Sequence, residues 1–135
     1  MKRLLIPFVM TLVACSEAPQ PSVEKAIDPS LCQFSEGACI VSSVGLTLAP
    51  HHAPSEQPLT LQLTLPEGDR VVSARIEGRD MFMGVIPVMF DESGHAEVIY
   101  GSCSSNYMVW RMLVTVEDSH GEQYTRIFDW LADAS

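Results

Sequence analysis

The chain of 135 residues holds seven methionines, and five of them, Met81, Met83, Met89, Met108 and Met112, fall in one stretch that also contains Cys103. Thioether and thiolate sulfurs are soft donors that select Cu(I) over harder ions. Thioethers also persist in an oxidising compartment, where thiols that can pair are consumed as disulfides. Met81 and Met83 are two apart in Asp80-Met81-Phe82-Met83-Gly84, so an extended backbone would send both side chains to one side. Cys103 and Met108 flank a second loop, Gly101 to Tyr107. These types and spacings lead us to expect a Cu(I) site of three or four sulfur ligands drawn from Met81, Met83, Cys103 and Met108. Such a site would be open on one side, so that an incoming ligand can displace an outgoing one.

The same residues also have a plainer reading. Methionine fills irregular gaps in cores, and Met112 is expected to do so. Met89, between Val88 and Phe90 in an apolar run, is likewise expected in the core. Met81 and Met83 are ligands or packing residues; Cys103 is a ligand, a disulfide partner or an inert buried thiol. Without a metal, Met81-Phe82-Met83 and Val85-Ile86 would form an apolar patch for a protein partner, with Cys103 in a disulfide. His51 and His52, in Pro50-His51-His52-Ala53-Pro54, offer nitrogen donors but read as an exposed loop. His95 and His120 sit beside turn glycines and read as solvated. The carboxylates form no calcium loop. Gly101-Ser102-Cys103-Ser104-Ser105 lacks the Gly-x-Ser-x-Gly spacing of a nucleophile elbow, and no Cys-x-x-Cys is present. Nothing assembles a nucleophile, a base and an orienting partner, so a binding protein is expected rather than an enzyme.

The N-terminus bears on the compartment. Lys2 and Arg3 precede an apolar run from Leu4 to Val13, the pattern of an export signal. That run is shorter than the roughly 20 residues that span a bilayer. It ends in Leu12-Val13-Ala14-Cys15, which looks like the lipobox of bacterial lipoproteins. The expectation is a signal peptide over residues 1–14, lipidation at Cys15 and an anchored rather than spanning protein; the alternative is an ordinary secretory signal with a chance cysteine. Ser16 is not the aspartate that resembles an inner-membrane retention signal, so the periplasmic face of the outer membrane is favoured. Taking fourteen residues and two positive charges from 135 residues at −9 leaves 121 residues at −11. That acidity argues against nucleic acid and anionic lipid as partners.

Three cysteines remain after Cys15. Cys32 and Cys39 are close in sequence, and a disulfide closing that loop would contribute roughly 2–3 kcal/mol. This pairing leaves Cys103 free and is favoured; Cys32–Cys103 and Cys39–Cys103 stay open as alternatives. One domain fits the length. Residues 15–31, polar with Pro19, Pro21 and Pro29, read as a lipidated tether, and residues 32–135 as the folded domain. Leu59, Leu61, Leu63 and Leu65 alternate with Thr60, Gln62 and Thr64, the period of a half-buried strand. Further strands are expected at Ile40–Leu48, Val71–Glu77, Ile86–Phe90, Ala96–Tyr100, Met108–Glu117 and Gln123–Trp130. Turn residues at Pro66–Asp69, Asp91–Gly94 and Asp118–Gly121 separate several of them. About seven strands and no convincing helix imply an all-β fold, an immunoglobulin-like antiparallel sandwich. Trp110, Met112, Val114 and Val116 would face its core, with Arg111 and Thr115 outward.

From about Val44 to Trp130 the chain resembles the FixH/YtkA-like group of small extracytoplasmic β-sandwich proteins. The likeness rests on the Leu-alternating strand, the Gly-x-x-Met-x-Met-Gly turn at Gly78–Gly84, and Val114-Thr115-Val116-Glu117-Asp118 before a glycine turn. Members of that group are linked to copper handling and to assembly of respiratory oxidases. The resemblance implies that Met81 and Met83 match its Met-x-Met-Gly element, and Cys103, Met108 and Trp110 look like a Cys…Met-x-Trp feature of related secreted domains. A copper-acceptor or envelope protein is the partner it implies. This chain departs from the group in lacking a membrane helix and in carrying the added Cys32–Cys39 segment.

Overall fold

A computed structural model describes residues 28–103 and 107–134. The expected signal peptide, the lipidated Cys15 and most of the tether lie outside the described residues. Alternating side chains build eight strands: β1 (Cys39–Val41), β2 (Val44–Ala49), β3 (Leu59–Thr64), β4 (Arg70–Gly78), β5 (Val85–Pro87), β6 (His95–Val98), β7 (Val109–Glu117) and β8 (Gln123–Leu131). They form two antiparallel four-stranded sheets in the orders β1-β2-β3-β6 and β5-β4-β7-β8. Because β3 pairs with β6 and β4 with β7, the chain crosses between sheets as immunoglobulin-like sandwiches do. Among the described residues no helix is long and apolar enough to cross a membrane.

Period 2 decides which side chains meet. Leu59, Leu61 and Leu63 face inward from β3, and Trp110, Met112, Val114 and Val116 from β7, each essentially buried. Phe128 and Trp130 of β8 join them, opposite Met112 and Trp110. Each such side chain contributes roughly 1.5–3 kcal/mol by leaving water. The expected inward and outward sets of β7 are those observed, with Arg111 and Thr115 on the outer face.

Two expectations on strands need correction. The segment Ile40–Leu48 is a hairpin, not one strand: Ser42 and Ser43 carry φ of 42° and 73°, and Val41 pairs with Val44. Two consecutive positive φ values make the tight turn whose twist matches a hairpin. Met89 is not core. The ladder at Ile86–Phe90 begins one residue earlier and ends at Pro87, and the alternation sends Ile86 and Val88 inward. Met89 therefore emerges on the outer side, 83% exposed.

Cys32 and Cys39 form the disulfide and Cys103 is free, as the favoured pairing had it. The bridge closes a loop holding a short 3-10 turn, Phe34–Glu36, whose Phe34 ring meets Trp130 edge-on at 5.9 Å. Asp28 to Leu31, read from the sequence as tether, packs on the sandwich. Leu31 is buried, and the Cys32 N–H donates to the Asp129 carbonyl at 2.8 Å.

Candidate functional site

The strand directions gather at one end of the sandwich residues 50–58, 79–84, 99–103 and 107–108, and residues 132–134 after β8. The segment from Asp28 also arrives there. The Met loop begins where β4 ends. Gly78 still pairs with Trp110, and the Arg79 N–H donates to the Val109 carbonyl at 3.0 Å. The chain then bends through Arg79, Asp80 and Met81 and returns over Gly78. A Cβ at that position would lie 2.1 Å from the Met81 carbonyl oxygen and 2.9 Å from Met108 Cε. Only glycine lets the loop close this tightly onto β4.

Closure brings together Met81 and Cys103. Cys103 Sγ donates to Met81 Sδ at 3.4 Å, which joins the Met loop to the segment after β6. Met81 is 42% exposed and Cys103 half-buried, so the sulfur pair lies at the surface. Met108 is buried, with its methyl beneath the turn that carries Met81. Met83 is half-buried and packs on the core. The bend at residues 79–81 breaks the extended geometry that would present Met81 and Met83 alike. Of the four sulfurs expected together, two are in contact, one lies under them, and Met83 serves the core. Met112 is wholly buried, as expected, and Trp110 stacks on Tyr100 with centroids 4.6 Å apart.

Charges frame the loop. The Arg79 guanidinium reaches Asp80 at 3.0 Å through Nη2 and Asp28 at 3.4 Å through Nη1. The hydrogen bonds it donates to Asp80 hold its pKa above the ordinary arginine value. Arg111 makes a two-pronged pair with Asp129 at 2.8 and 2.9 Å, and that bond raises its pKa in turn. Asp28 is held below the usual carboxylate range, first by the Ser30 hydroxyl, then by the Ser30 N–H. These half-exposed pairs are screened by water and add little stability, but they fix where the loop starts. Arg79 was not singled out from the sequence, although it adjoins the Met-x-Met element; its contact with Asp28 spans 51 residues and has no local signature.

The nitrogen donors stay apart from the sulfur pair in their bonding. His51 and His52 are exposed, and His51 Nδ1 lies 3.2 Å from the Leu48 carbonyl oxygen. His95 and His120 are exposed at the far end. Among the described residues no group of three or more His, Cys, Asp or Glu converges as a metal site. A cleft of about 600 Å³ opens at the far end over Leu65, Val71 and Phe90, but no sulfur or histidine lines it.

Comparison with family models, with characterised proteins and with solved structures gives no match for this chain.

Proposed function

We propose that the protein is an extracytoplasmic lipoprotein that binds Cu(I) through Met81 and Cys103 and buffers it or hands it to an acceptor. The observation that carries this reading is the 3.4 Å contact between Cys103 Sγ and Met81 Sδ. In that contact the thiol proton already points at a thioether lone pair, which is the lone pair a soft metal would take. An ion that replaces the proton would take both sulfurs as ligands. Two sulfurs sharing one ion at about 2.3 Å each, the usual zinc–thiolate distance, lie no more than about 4.6 Å apart, and this pair is well within that limit. Met108 is the nearest candidate for a third ligand, because it lies beneath the same turn. Exposure of Met81 leaves a side from which an acceptor's ligand can enter. The resemblance to the FixH/YtkA-like group supports copper as the cargo and respiratory oxidase assembly as its setting.

Soluble protein beginning at Ser16, titrated anaerobically with Cu(I) against a chromophoric chelator, tests the reading. One equivalent should bind. Changes in the supporting shell of a metal typically cost 10–100-fold in affinity, so losing a ligand through Met81→Leu or Cys103→Ser should cost at least about 100-fold. Met83→Leu should cost far less, because Met83 packs on the core. Equal Cu(I) affinity in wild type and Met81→Leu would end the copper reading. The alternative would then be a non-metal interaction lipoprotein that uses the exposed apolar residues of the same loop.

A further inference from the structure

Phe82 is 86% exposed, the highest value among the large apolar side chains described, and Met81 and Val85 beside it are 42% and 52% exposed. This tip is held outward. Met81 is fixed by Cys103, Met83 by the core, and the loop base by Arg79 on Val109, so Phe82 has no route inward. Leaving a phenylalanine in water forgoes roughly 1.5–3 kcal/mol, which asks for something that covers it. The chain itself indicates what that is. Asp28, where the segment following Cys15 joins the domain, is ion-paired with Arg79, three residues before Phe82. Twelve residues separate Cys15 from Asp28, so whatever their path Cys15 stands within about 47 Å of Asp28 at up to ~3.6 Å per step. The described chain therefore begins at the end that carries the apolar tip, and the far turns lie about 30 Å further from Asp28, the length of a nine-residue strand at ~3.3 Å per residue.

We infer, resting on the lipoprotein reading, that the tip formed by Phe82 and Val85 seats in the surface of the membrane that holds Cys15, with zwitterionic lipid as its partner. An aromatic ring flanked by apolar residues suits the interfacial layer. The charge at the loop base suits zwitterionic rather than anionic lipid: among the described residues Arg79 is taken up by Asp28 and Asp80, and Arg111 by Asp129. The acyl anchor makes the contact intramolecular in effect, so a weak hydrophobic insertion is enough. Met89 supplies an internal control. It is as exposed as Phe82 but lies beyond Pro87, where Val88 N–H meets the Ala74 carbonyl, four residues down β4 from Gly78.

The experiment uses the full acylated protein, purified from membranes, with the mass of its N-terminal peptide establishing lipid at Cys15. Phe82→Trp and Met89→Trp variants are placed in phosphatidylcholine vesicles with or without brominated chains. Trp110 and Trp130 are buried, so quenching reads the added indole. Loss of emission from Phe82→Trp, with Met89→Trp unaffected, supports the inference. Unquenched Phe82→Trp on protein shown to carry its lipid overturns it while leaving the lipoprotein reading intact. Equal quenching of the two variants overturns the orientation. Shielding of Phe82→Trp from an aqueous quencher in native membranes, but not in pure lipid, would replace the lipid surface with a membrane protein. Absence of lipid on Cys15 would remove the lipoprotein reading and this inference together.

Discussion

At the end of the sandwich away from the Met loop, turns close on their own carboxylates. Asp91 accepts from the Ser93 N–H, the Ser93 hydroxyl and the His95 N–H at 2.7–2.9 Å. Asp118 accepts from the N–H groups of His120 and Glu122. These turns are short, polar and satisfied from within. At the other end the connections are longer and are held by groups distant in sequence: Arg79 by Asp28, Tyr100 by Ala53, Ser55 by Asp133 and Met81 by Cys103. That end exposes thioether, thiol and phenyl groups. Local closure shapes the Asp91 and Asp118 turns, although Tyr124 also reaches Asp69 and Arg70 reaches Glu117 at that end; closure across the chain lets the Met end present chemistry that its own sequence neighbours could not fix.

If the ends are separable in this way, glycine substitutions should act on different properties. Gly94 has φ of +84°, and a Cβ there would lie 2.2 Å from the Leu63 carbonyl oxygen. Strain of the left-handed backbone plus overpacking should cost about 3–4 kcal/mol in Gly94→Ala, with Cu(I) affinity unchanged. Gly78→Ala meets the Met81 carbonyl instead. It should cost about 2–3 kcal/mol and also weaken Cu(I) binding, because the loop must lift off β4. Urea unfolding beside the chelator titration distinguishes the two. A loss of Cu(I) affinity in Gly94→Ala would show that the ends are coupled.

A smaller effect is expected at Tyr100, which holds the Met end together without touching the sulfurs. Its hydroxyl donates to the Ala53 carbonyl at 2.7 Å and accepts from Trp130 Nε1 at 3.3 Å. Burial pushes its pKa upward, so it stays neutral at any ordinary pH. Tyr100→Phe keeps the stack on Trp110 but leaves Trp130 Nε1 without its partner and the Ala53 carbonyl with the Asp133 N–H alone, a loss of about 1–3 kcal/mol measurable by thermal or urea unfolding. A stability within a few tenths of wild type would mean that water takes over both bonds.

The same contrast explains what was legible in the sequence. Strands β3 and β7 could be read because one-sided burial imposes a period of two on Leu59–Leu63 and on Trp110–Val116. The far-end turns could be read because Asp, Ser and Gly act within a few residues. The Ser42-Ser43 turn could not, since neither residue is the Gly or Asn that usually marks two positive φ values. Met89 was misread because an apolar run hides its own alternation once the strand ends at Pro87. At the candidate site the residue types were legible and their arrangement was not. Met81 and Cys103 meet across 22 residues, and Met83 turns to the core because Gly78 lets the loop fold back. The expected four-sulfur set therefore reduces to a contacting pair with Met108 beneath it.

The finest test concerns charge at the two ends. Asp133 accepts from the Ser55 hydroxyl at 2.6 Å and the Ser55 N–H at 2.9 Å, and these bonds hold its carboxyl below the ordinary range, the hydroxyl most of all. Asp91 is lowered likewise, chiefly by the His95 N–H and then the Ser93 hydroxyl. For both, the folded pKa lies below the unfolded value near 3.9. Their stabilisation is therefore complete above that value and disappears as pH falls through the folded pKa. Asp133→Asn and Asp91→Asn should each lower the urea midpoint slightly at pH 6, and the gap from wild type should close by pH 2. Cu(I) affinity at pH 6 separates the ends. Asp133 ties the C-terminus to the loop at 50–58 at the same end as the sulfur pair, so Asp133→Asn should loosen that end and lower affinity a little, whereas Asp91→Asn should leave it alone. A gap that persists unchanged at pH 2 would assign the stabilisation to hydrogen-bond geometry alone. Equal effects of the two variants on Cu(I) would mean that the ends differ in construction but not in what they support.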